Sequence, residues 1–130
     1  MKQQPEYILQ KSICRYLSIA YPEIPFLSDT VASVQLTIPQ GARNKAIQKQ
    51  GFKTPDLLVF KPNDKYHGLF IELKTETPFK KNGEIKASQK DHLLLQQQTI
   101  ADLNALGYHA SFSWGFDMTK EVIDKYMTLK

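Results

Sequence analysis

The chain has 130 residues, of which 42% are hydrophobic and 23% charged, and its formal net charge is +4. This length and composition predict one folded domain over residues 1–130 and exclude disordered, collagen-like and coiled-coil classes. Apolar runs are only a few residues long, so we expect no membrane span. The single cysteine, Cys14, excludes an internal disulfide framework and a cysteine-based zinc site. Together with a polar N-terminus that lacks a signal-peptide pattern, this favours an intracellular, reducing location.

Positive charge is concentrated in the middle of the chain. Residues 43–90 contain eleven basic and five acidic side chains, a net charge of +6, whereas the remaining residues carry −2. A basic segment of this kind indicates a polyanionic partner, of which nucleic acid is the common case. A solvent-exposed lysine surface would give the same count, so charge alone does not decide.

The first half of the chain is predicted to contain four elements. They are a helix over residues 4–20 ended by Tyr21–Pro22, a short strand at 26–28, a strand or loop at 31–38, and a short polar helix at 42–50 closed by Gly51.

The second half is predicted to alternate strands with helices. Its elements are strands at 56–60 and 68–74 joined by a turn at 62–65, a basic loop at 75–87, a helix from Ser88 to Gly107, a strand at 108–114, and a last helix with Asp117 as its N-cap. This order predicts an α/β domain in which helices pack on a mixed central sheet.

Two of the predicted strands form a hairpin that brings charged side chains together. A turn near residues 64–65 would pair Asp56 with Lys74 and Leu58 with Glu72. Because strand side chains alternate between faces, Asp56, Glu72 and Lys74 would project from one face at the same end of the hairpin. The surrounding residues are apolar, and buried charges are costly unless they are paired or metal-bound.

This arrangement suits a metal-dependent reaction on phosphate. Two carboxylates, Asp56 and Glu72, can share Mg²⁺, which lowers the pKa of a bound water and polarises a phosphoryl oxygen. Lys74 can orient the attacking water or stabilise charge on the phosphate, and the backbone carbonyl of Leu73 could supply another metal ligand. The alternative is structural, with Asp56 as a turn residue after Pro55 and the other two charges on a strand edge.

The same residues resemble a known nuclease signature. Pro55-Asp56 followed by Glu72-Leu73-Lys74 is similar to the P-D…E-x-K pattern of the PD-(D/E)XK nuclease superfamily. Three further features resemble its VRR-NUC (virus-type replication-repair nuclease) branch. They are Glu6 four residues before Gln10, the stretch from Gly41 to Lys53 that leads into Pro55, and Ser88-Gln89 after the E-x-K strand.

The VRR-NUC resemblance implies a restriction-endonuclease-like core and magnesium- or manganese-dependent cleavage of DNA phosphodiesters, including branched or junction DNA, by a homodimer. It also implies a small stand-alone, phage-like member. Carried over by position, the active-site residues would be Glu6, Asp56, Glu72, Lys74 and Gln89. The metal would be held by Asp56, Glu72, the Leu73 carbonyl and Glu6.

Two of these positions also have ordinary structural explanations. Glu6 would be favourable near the positive end of the first helix, and Gln89 could be solvent-facing surface of the next one. His67, His92 and His109 lack metal-ligand spacing, and we interpret them as surface or core histidines.

Four basic residues are candidates for DNA-phosphate contacts: Arg43, Lys80, Lys81 and Lys86. The alternative is that they simply face solvent. A rival function also remains open at this point, namely a non-catalytic nucleic-acid-binding module that uses the same basic surface and has purely structural carboxylates.

Overall fold

A computed structural model of the chain describes residues 5–29, 36–86 and 90–130. In chain order its elements are α1 (Pro5–Ala20), β1 (Phe26–Ser28), α2 (Ile38–Ile47), β2 (Leu57–Val59), β3 (Leu69–Lys74), α3 (Lys90–Ala105), β4 (His109–Trp114) and α4 (Phe116–Met127). No helix within these ranges has both the length and the apolar character needed to cross a membrane.

The strands form one mixed sheet in the order β1-β2-β3-β4. The first three are antiparallel, and β4 runs parallel to β3 after the crossover through α3. A parallel neighbour needs such a long connection, and a helix usually provides it. The predicted α/β domain with a mixed sheet is therefore confirmed.

The register of the β2–β3 hairpin differs from the prediction. Leu58 pairs with Phe70, not with Glu72, so the predicted register is wrong by two residues. Side-chain faces repeat every two residues, so a shift of two leaves Asp56, Glu72 and Lys74 on one face, whereas a shift of one would have separated them. Continued by one pair, the observed register places Asp56 opposite Glu72.

The hairpin loop explains this shift. The side-chain oxygen of Asn63 accepts hydrogen bonds from the backbone N–H groups of Lys65 and Tyr66, at 2.9 and 2.7 Å. An asparagine side chain that binds the backbone two and three residues ahead closes a tight turn. The turn therefore begins at Asn63, a position that hydrophobic alternation in the strands does not reveal.

The hydrophobic core lies on the sheet face opposite the charged residues. In α1, Leu9, Ile13 and Leu17 are spaced four residues apart and are buried on one side of the helix. They pack with buried side chains of the sheet and of α4: Leu57, Val59, Leu69, Ile71, Leu73, Ile123 and Tyr126. Each fully buried aliphatic side chain of this kind contributes about 1.5–3 kcal/mol. The core thus fixes the strands whose other face carries the charges.

A half-buried cluster of polar side chains connects α1 and the residue after it to α4. One oxygen of the Asp124 carboxylate accepts hydrogen bonds from the hydroxyls of Tyr16 and Tyr21, at 2.5 and 2.7 Å. The other oxygen accepts from the Lys120 ammonium at 3.0 Å. Burial raises the pKa of Asp124, but these three donors outweigh it and hold the pKa below its usual value.

The outer edge of β4 is held by a side chain of α3. His109 N–H donates to the Gly68 carbonyl, so the odd-numbered residues of β4 face β3 and the backbone of Ala110 faces outward. Both of these outward groups bind Asn104, whose amide donates to the Ala110 carbonyl and accepts from its N–H, at 2.9 Å each. The Asn104 amide thus supplies the two hydrogen bonds that a neighbouring strand would otherwise make to Ala110.

Two helix boundaries differ from the sequence prediction. The helix predicted at 42–50 runs from Ile38 to Ile47, because Thr37 and Gln40 form a reciprocal capping box four residues earlier than expected. Gly51, with a φ of 79°, lies beyond this helix and does not close it.

The last helix also starts differently. Asp117 is inside α4 and is not its N-cap, because the chain turns at Gly115, which has a φ of 79°. The predicted end of α3 at Gly107 is confirmed by its positive φ of 97° just after the helix. Of the segment predicted at 31–38, residues 31–35 lie outside the described ranges, as does Ser88, the predicted start of the helix that ends at Gly107.

Candidate active site

The first carboxylate, Asp56, is placed by the start of β2. Its Oδ2 accepts a hydrogen bond from the Leu73 N–H at 2.8 Å, which extends the contact between β2 and β3 beyond the last ladder pair. Its backbone carbonyl accepts from the Asp29 N–H at 2.9 Å. Asp56 therefore has a structural role at the start of β2.

The second carboxylate, Glu72, lies in the middle of the sheet and is 3% exposed. Burial raises its pKa to about 9, and repulsion from the Asp56 carboxylate and a hydrogen bond with it add to the shift. Lys74 and Lys53 oppose the shift without reversing it. Near neutral pH the Glu72 carboxyl therefore keeps its proton beside Asp56.

Lys74 is connected to Glu72 through one glutamine. The Lys74 ammonium donates to Oε1 of Gln96 at 2.9 Å, and the amide nitrogen of Gln96 donates to Oε1 of Glu72 at 2.8 Å. Gln96 is 2% exposed. The amide accepts from the cation and donates to the acid, so it fixes the positions of both groups relative to each other.

Gln96 was missed by the sequence prediction, which assigned the glutamine role to Gln89. Gln89 lies outside the described residues, so its position stays a prediction. Gln96 occupies the buried face of α3 at helical spacing, between Leu93 and Thr99, which are both buried. The available signal in the sequence was a polar residue on the apolar face of a predicted helix. The run of three consecutive glutamines made it difficult to single out Gln96.

The backbone at Leu73 supports its predicted use as an oxygen ligand. Neighbouring residues of a strand direct their backbone groups to alternate sides, and the N–H and C=O of one residue point the same way. Since the Leu73 N–H points at Asp56, its carbonyl points to the same side, next to the carboxylate pair.

Glu6 lies at the exposed start of α1 on the side of the site. One turn later, Gln10 donates to the Ser28 hydroxyl at 2.5 Å and to the Asp29 carbonyl at 3.0 Å. Asp29 in turn binds the backbone of Asp56, so this end of α1 is anchored beside the site.

A histidine that the sequence analysis left without a role also borders this cluster. Burial lowers the pKa of His92, the charges of Lys53 and Lys74 lower it further, and those of Asp56 and Glu6 act in the opposite direction. These side chains therefore share one electrostatic environment. His92 was predicted to be a surface or core histidine, and its side chain is exposed at the border of the site.

The residues suited to a metal ion are few. Across residues 5–29, 36–86 and 90–130, no three His, Cys, Asp or Glu side chains converge in a metal-binding group. The donors at hand are the carboxylates of Asp56 and Glu72 and the carbonyl of Leu73. A donor set of two or three oxygens fits Mg²⁺, which keeps several waters and takes further ligands from a phosphate.

The four candidate DNA-contact residues are not bonded to the carboxylate pair. Arg43 is exposed on α2, and Lys80 and Lys81 are exposed in a turn within the 75–86 loop. Lys86 is 3.9 Å from Glu76, a weak surface ion pair. Among the described residues, no hydrogen bond or ion pair joins these four side chains to the carboxylate pair.

Comparison with known proteins supports the fold. No protein-family model matches the sequence, and no curated protein matches it. A solved structure named "VRR_NUC domain protein" is similar, with a TM-score of 0.61 and 22% sequence identity over 99% of this chain and 93% of that chain. At this identity the similarity shows a shared fold, and it extends over nearly the whole of both chains.

Proposed function

We propose that this protein is a metal-dependent nuclease that hydrolyses phosphodiester bonds in DNA. The observation that carries the proposal is the pair of acids formed by half-buried Asp56 and buried Glu72, of which Glu72 is joined through Gln96 to Lys74. Its fold is shared with a protein named for a VRR_NUC domain, which agrees with the resemblance of its P-D…E-x-K residues.

Each side chain has a role in this reaction. Asp56, Glu72 and the Leu73 carbonyl would hold Mg²⁺ or Mn²⁺. Glu6, the other predicted ligand, does not converge with the two carboxylates among the described residues. When bound, the metal supplies an activated water and neutralises charge on the phosphate. Gln96 orients the Lys74 ammonium, which positions the water and stabilises the negative charge that develops on the phosphoryl oxygens. No side chain needs to form a covalent intermediate.

Several finer features belong to the same proposal. The substrate is DNA, including branched or junction forms, and Arg43, Lys80, Lys81 and Lys86 contact its phosphates. The protein acts inside the cell as a homodimer, which gives a small domain enough surface to hold a long substrate. Gln89, which directly precedes Lys90 in the sequence, contributes to the active site.

The test is cleavage of supercoiled, branched and single-stranded DNA in the presence of Mg²⁺, Mn²⁺ or EDTA. We expect cleavage that requires the metal and that EDTA abolishes. The Lys74→Ala variant should keep metal and DNA binding but lose cleavage by about 10²- to 10³-fold, because it removes a charge that acts on the transition state.

Lys125→Ala is the matched control, since that lysine is exposed on α4 and pairs only with Glu121. Full cleavage by Lys74→Ala would refute the role of Lys74. Absence of metal-dependent cleavage by the wild-type protein on all three substrates would refute the function itself.

A second function is favoured by one observation. The bond from the Leu73 N–H to Asp56 shows that this carboxylate also supports the sheet, as it would in a non-catalytic nucleic-acid-binding module. The same assay separates the two functions, because a module binds DNA in EDTA and in Mg²⁺ alike and leaves it intact.

A further inference from the structure

Beyond the carboxylates, the charged face of the sheet continues as a partly open apolar surface. Leu27, Leu58 and Phe70 lie side by side across β1, β2 and β3. Leu27 is 55% exposed, and Phe60, two residues after Leu58 on the same face, is 48% exposed. Exposed large apolar groups in a contiguous patch usually mark a binding surface.

This surface contains a groove of about 520 Å³ beside the end of α3. Its lining consists of Phe60, His67, Gly68, Phe70, Leu106 and Tyr108. The rings of Phe70 and Tyr108 are stacked, with centroids 4.7 Å apart and an angle of 20° between their planes. The His67 ring lies 5.4 Å from that of Tyr108. The groove is therefore walled by flat rings.

Two glycines set the shape of this groove. A Cβ on Gly68 would lie 3.2 Å from the Val59 carbonyl oxygen and within 3.6 to 3.8 Å of the Phe70 and Tyr108 rings. A Cβ on Gly107 would come within 2.7 Å of the His67 ring. The absence of both side chains lets the rings close around an open space, so the groove is formed before any ligand arrives.

The groove shares a sheet face with the candidate active site and lies toward the opposite end of β3, and none of its lining residues belongs to that site. Phe70 and Glu72 are on the same strand and the same face, two residues apart, so they are roughly 7 Å apart along the strand. The groove lining contains no carboxylate, and the adjoining loop carries Lys61 and Lys65 against Asp64. A nucleic-acid strand whose scissile phosphate lies at the metal site beside Glu72 would therefore extend along β3 to these rings.

We propose that the aromatic groove binds an unpaired nucleobase of the substrate by stacking. The proposal rests on the nuclease function and defines its substrate as a strand with unpaired bases beside the scissile phosphate. Aromatic side chains bind bases by stacking whatever their sequence, and a base inside a duplex cannot offer its faces because its neighbours cover them. The groove would thus make the enzyme selective for structure and indifferent to sequence.

The test measures binding of the full chain in EDTA, which separates recognition from cleavage. The probes are a fluorescein-labelled oligothymidylate and a blunt duplex of the same length, read by fluorescence anisotropy. We expect wild type to prefer the single strand, and Phe60→Ala to bind it about tenfold more weakly while its duplex affinity changes less than about twofold. Phe60→Tyr keeps a ring and should bind like wild type.

Phe116→Ala is the matched control, because Phe116 is 37% exposed but lies at the start of α4, on the other side of the sheet. A second measurement does not depend on a folded variant. A single strand that contains 2-aminopurine should lose fluorescence on binding wild-type protein, since stacking on aromatic rings quenches it. Phe60→Tyr should preserve that loss.

Several results would overturn the proposal. They are equal affinity of wild type for the two probes, an unchanged affinity of Phe60→Ala for the single strand, and unquenched 2-aminopurine. A change in self-association of Phe60→Ala without a change in DNA binding would assign the groove to a second copy of the chain instead. If binding behaves as expected but no metal produces cleavage, the nuclease function fails while base stacking stands.

Discussion

At the scale of single residues, Glu72 carries the largest electrostatic cost in the site. Its carboxyl is buried beside a second acid, so its pKa lies near 9 instead of the ordinary 4.5. Between these two values the folded protein binds more protons than the unfolded chain. The stability that comes from protonated Glu72 is therefore fully present below pH 4.5, the ordinary pKa, and is lost as pH rises through about 9, the pKa in the folded protein.

The Glu72→Gln variant should reveal this linkage, because an amide mimics the protonated acid. In EDTA, the free energy of unfolding of wild type should fall more steeply between pH 5 and 9 than that of Glu72→Gln, as measured by urea denaturation. Glu121→Gln, at an exposed position, should keep the wild-type slope. Identical slopes for wild type and Glu72→Gln would contradict the raised pKa.

Gln96 should matter for both stability and activity. Its replacement by alanine leaves the buried Glu72 carboxyl and the Lys74 ammonium without their shared partner, which costs about 1–3 kcal/mol of unfolding free energy. Cleavage should fall by at least about tenfold, because Lys74 is then free to leave its position.

Gln98→Ala is the control for that measurement. Gln98 binds Asp102 on the exposed side of α3, so its loss should change stability by less than about 0.5 kcal/mol and leave cleavage intact. A Gln96→Ala variant with unchanged activity would mean that the amide only fills space in the sheet.

The sequence was sufficient to predict the charged cluster but not all of the hydrogen bonds within it. Alternation along two apolar strands predicts that Asp56, Glu72 and Lys74 share a face, and the structure places them so. Gln96 reaches them from twenty-two residues beyond Lys74, through the rotation of α3 against the sheet. That rotation depends on tertiary packing, which no local pattern encodes.

At the scale of the elements, the contact between α1 and α4 combines hydrophobic packing with a polar cluster at Asp124. Its carboxylate receives bonds from Tyr16, Tyr21 and Lys120, and only the two tyrosines come from the N-terminal region. Because α1 also carries Glu6, the packing of these helices determines where the N-terminal end of α1 lies relative to the site.

Asp124→Ala should therefore destabilise the fold by about 1–3 kcal/mol, because three donors lose their acceptor. Glu121→Ala, one turn earlier, removes only an exposed pair with Lys125 and should cost less than about 0.5 kcal/mol. Urea denaturation monitored by circular dichroism measures both. Equal losses in the two variants would show that the Asp124 cluster adds nothing beyond an exposed ion pair.

Element types were more predictable than element boundaries. The strands at β2, β3 and β4 follow from apolar runs between turn residues. The start of α2 depends on a capping box at Thr37 and Gln40, and the hairpin register depends on the side chain of Asn63. Both are single side-chain contacts with the backbone, and they outweigh the average tendencies on which a boundary prediction depends.

At the scale of the whole molecule, the net charge of +4 conceals the strongly basic segment from 43 to 90. If its loop lysines contact phosphates, a joint change of Lys80, Lys81 and Lys86 to alanine should flatten the salt dependence of DNA binding. Each phosphate contact contributes a slope of about 0.9 on a logarithmic plot of affinity against salt concentration.

The matched control replaces three exposed lysines outside that segment, namely Lys11, Lys125 and Lys130, and removes the same amount of charge. Anisotropy titrations at several salt concentrations compare the two triple variants. We expect a reduced slope only for the loop variant, and an equal reduction in both would show that total charge, not the loop, governs binding.

The bond pair between Asn104 and Ala110 also bears on how the protein behaves at high concentration. A strand from another molecule that approached β4 would find both backbone groups of Ala110 already taken, and at the opposite margin β1 offers only three residues. Open margins of a sheet are where fibrils and amorphous aggregates begin. The amide of Asn104 thus hinders the addition of a foreign strand at this point of β4.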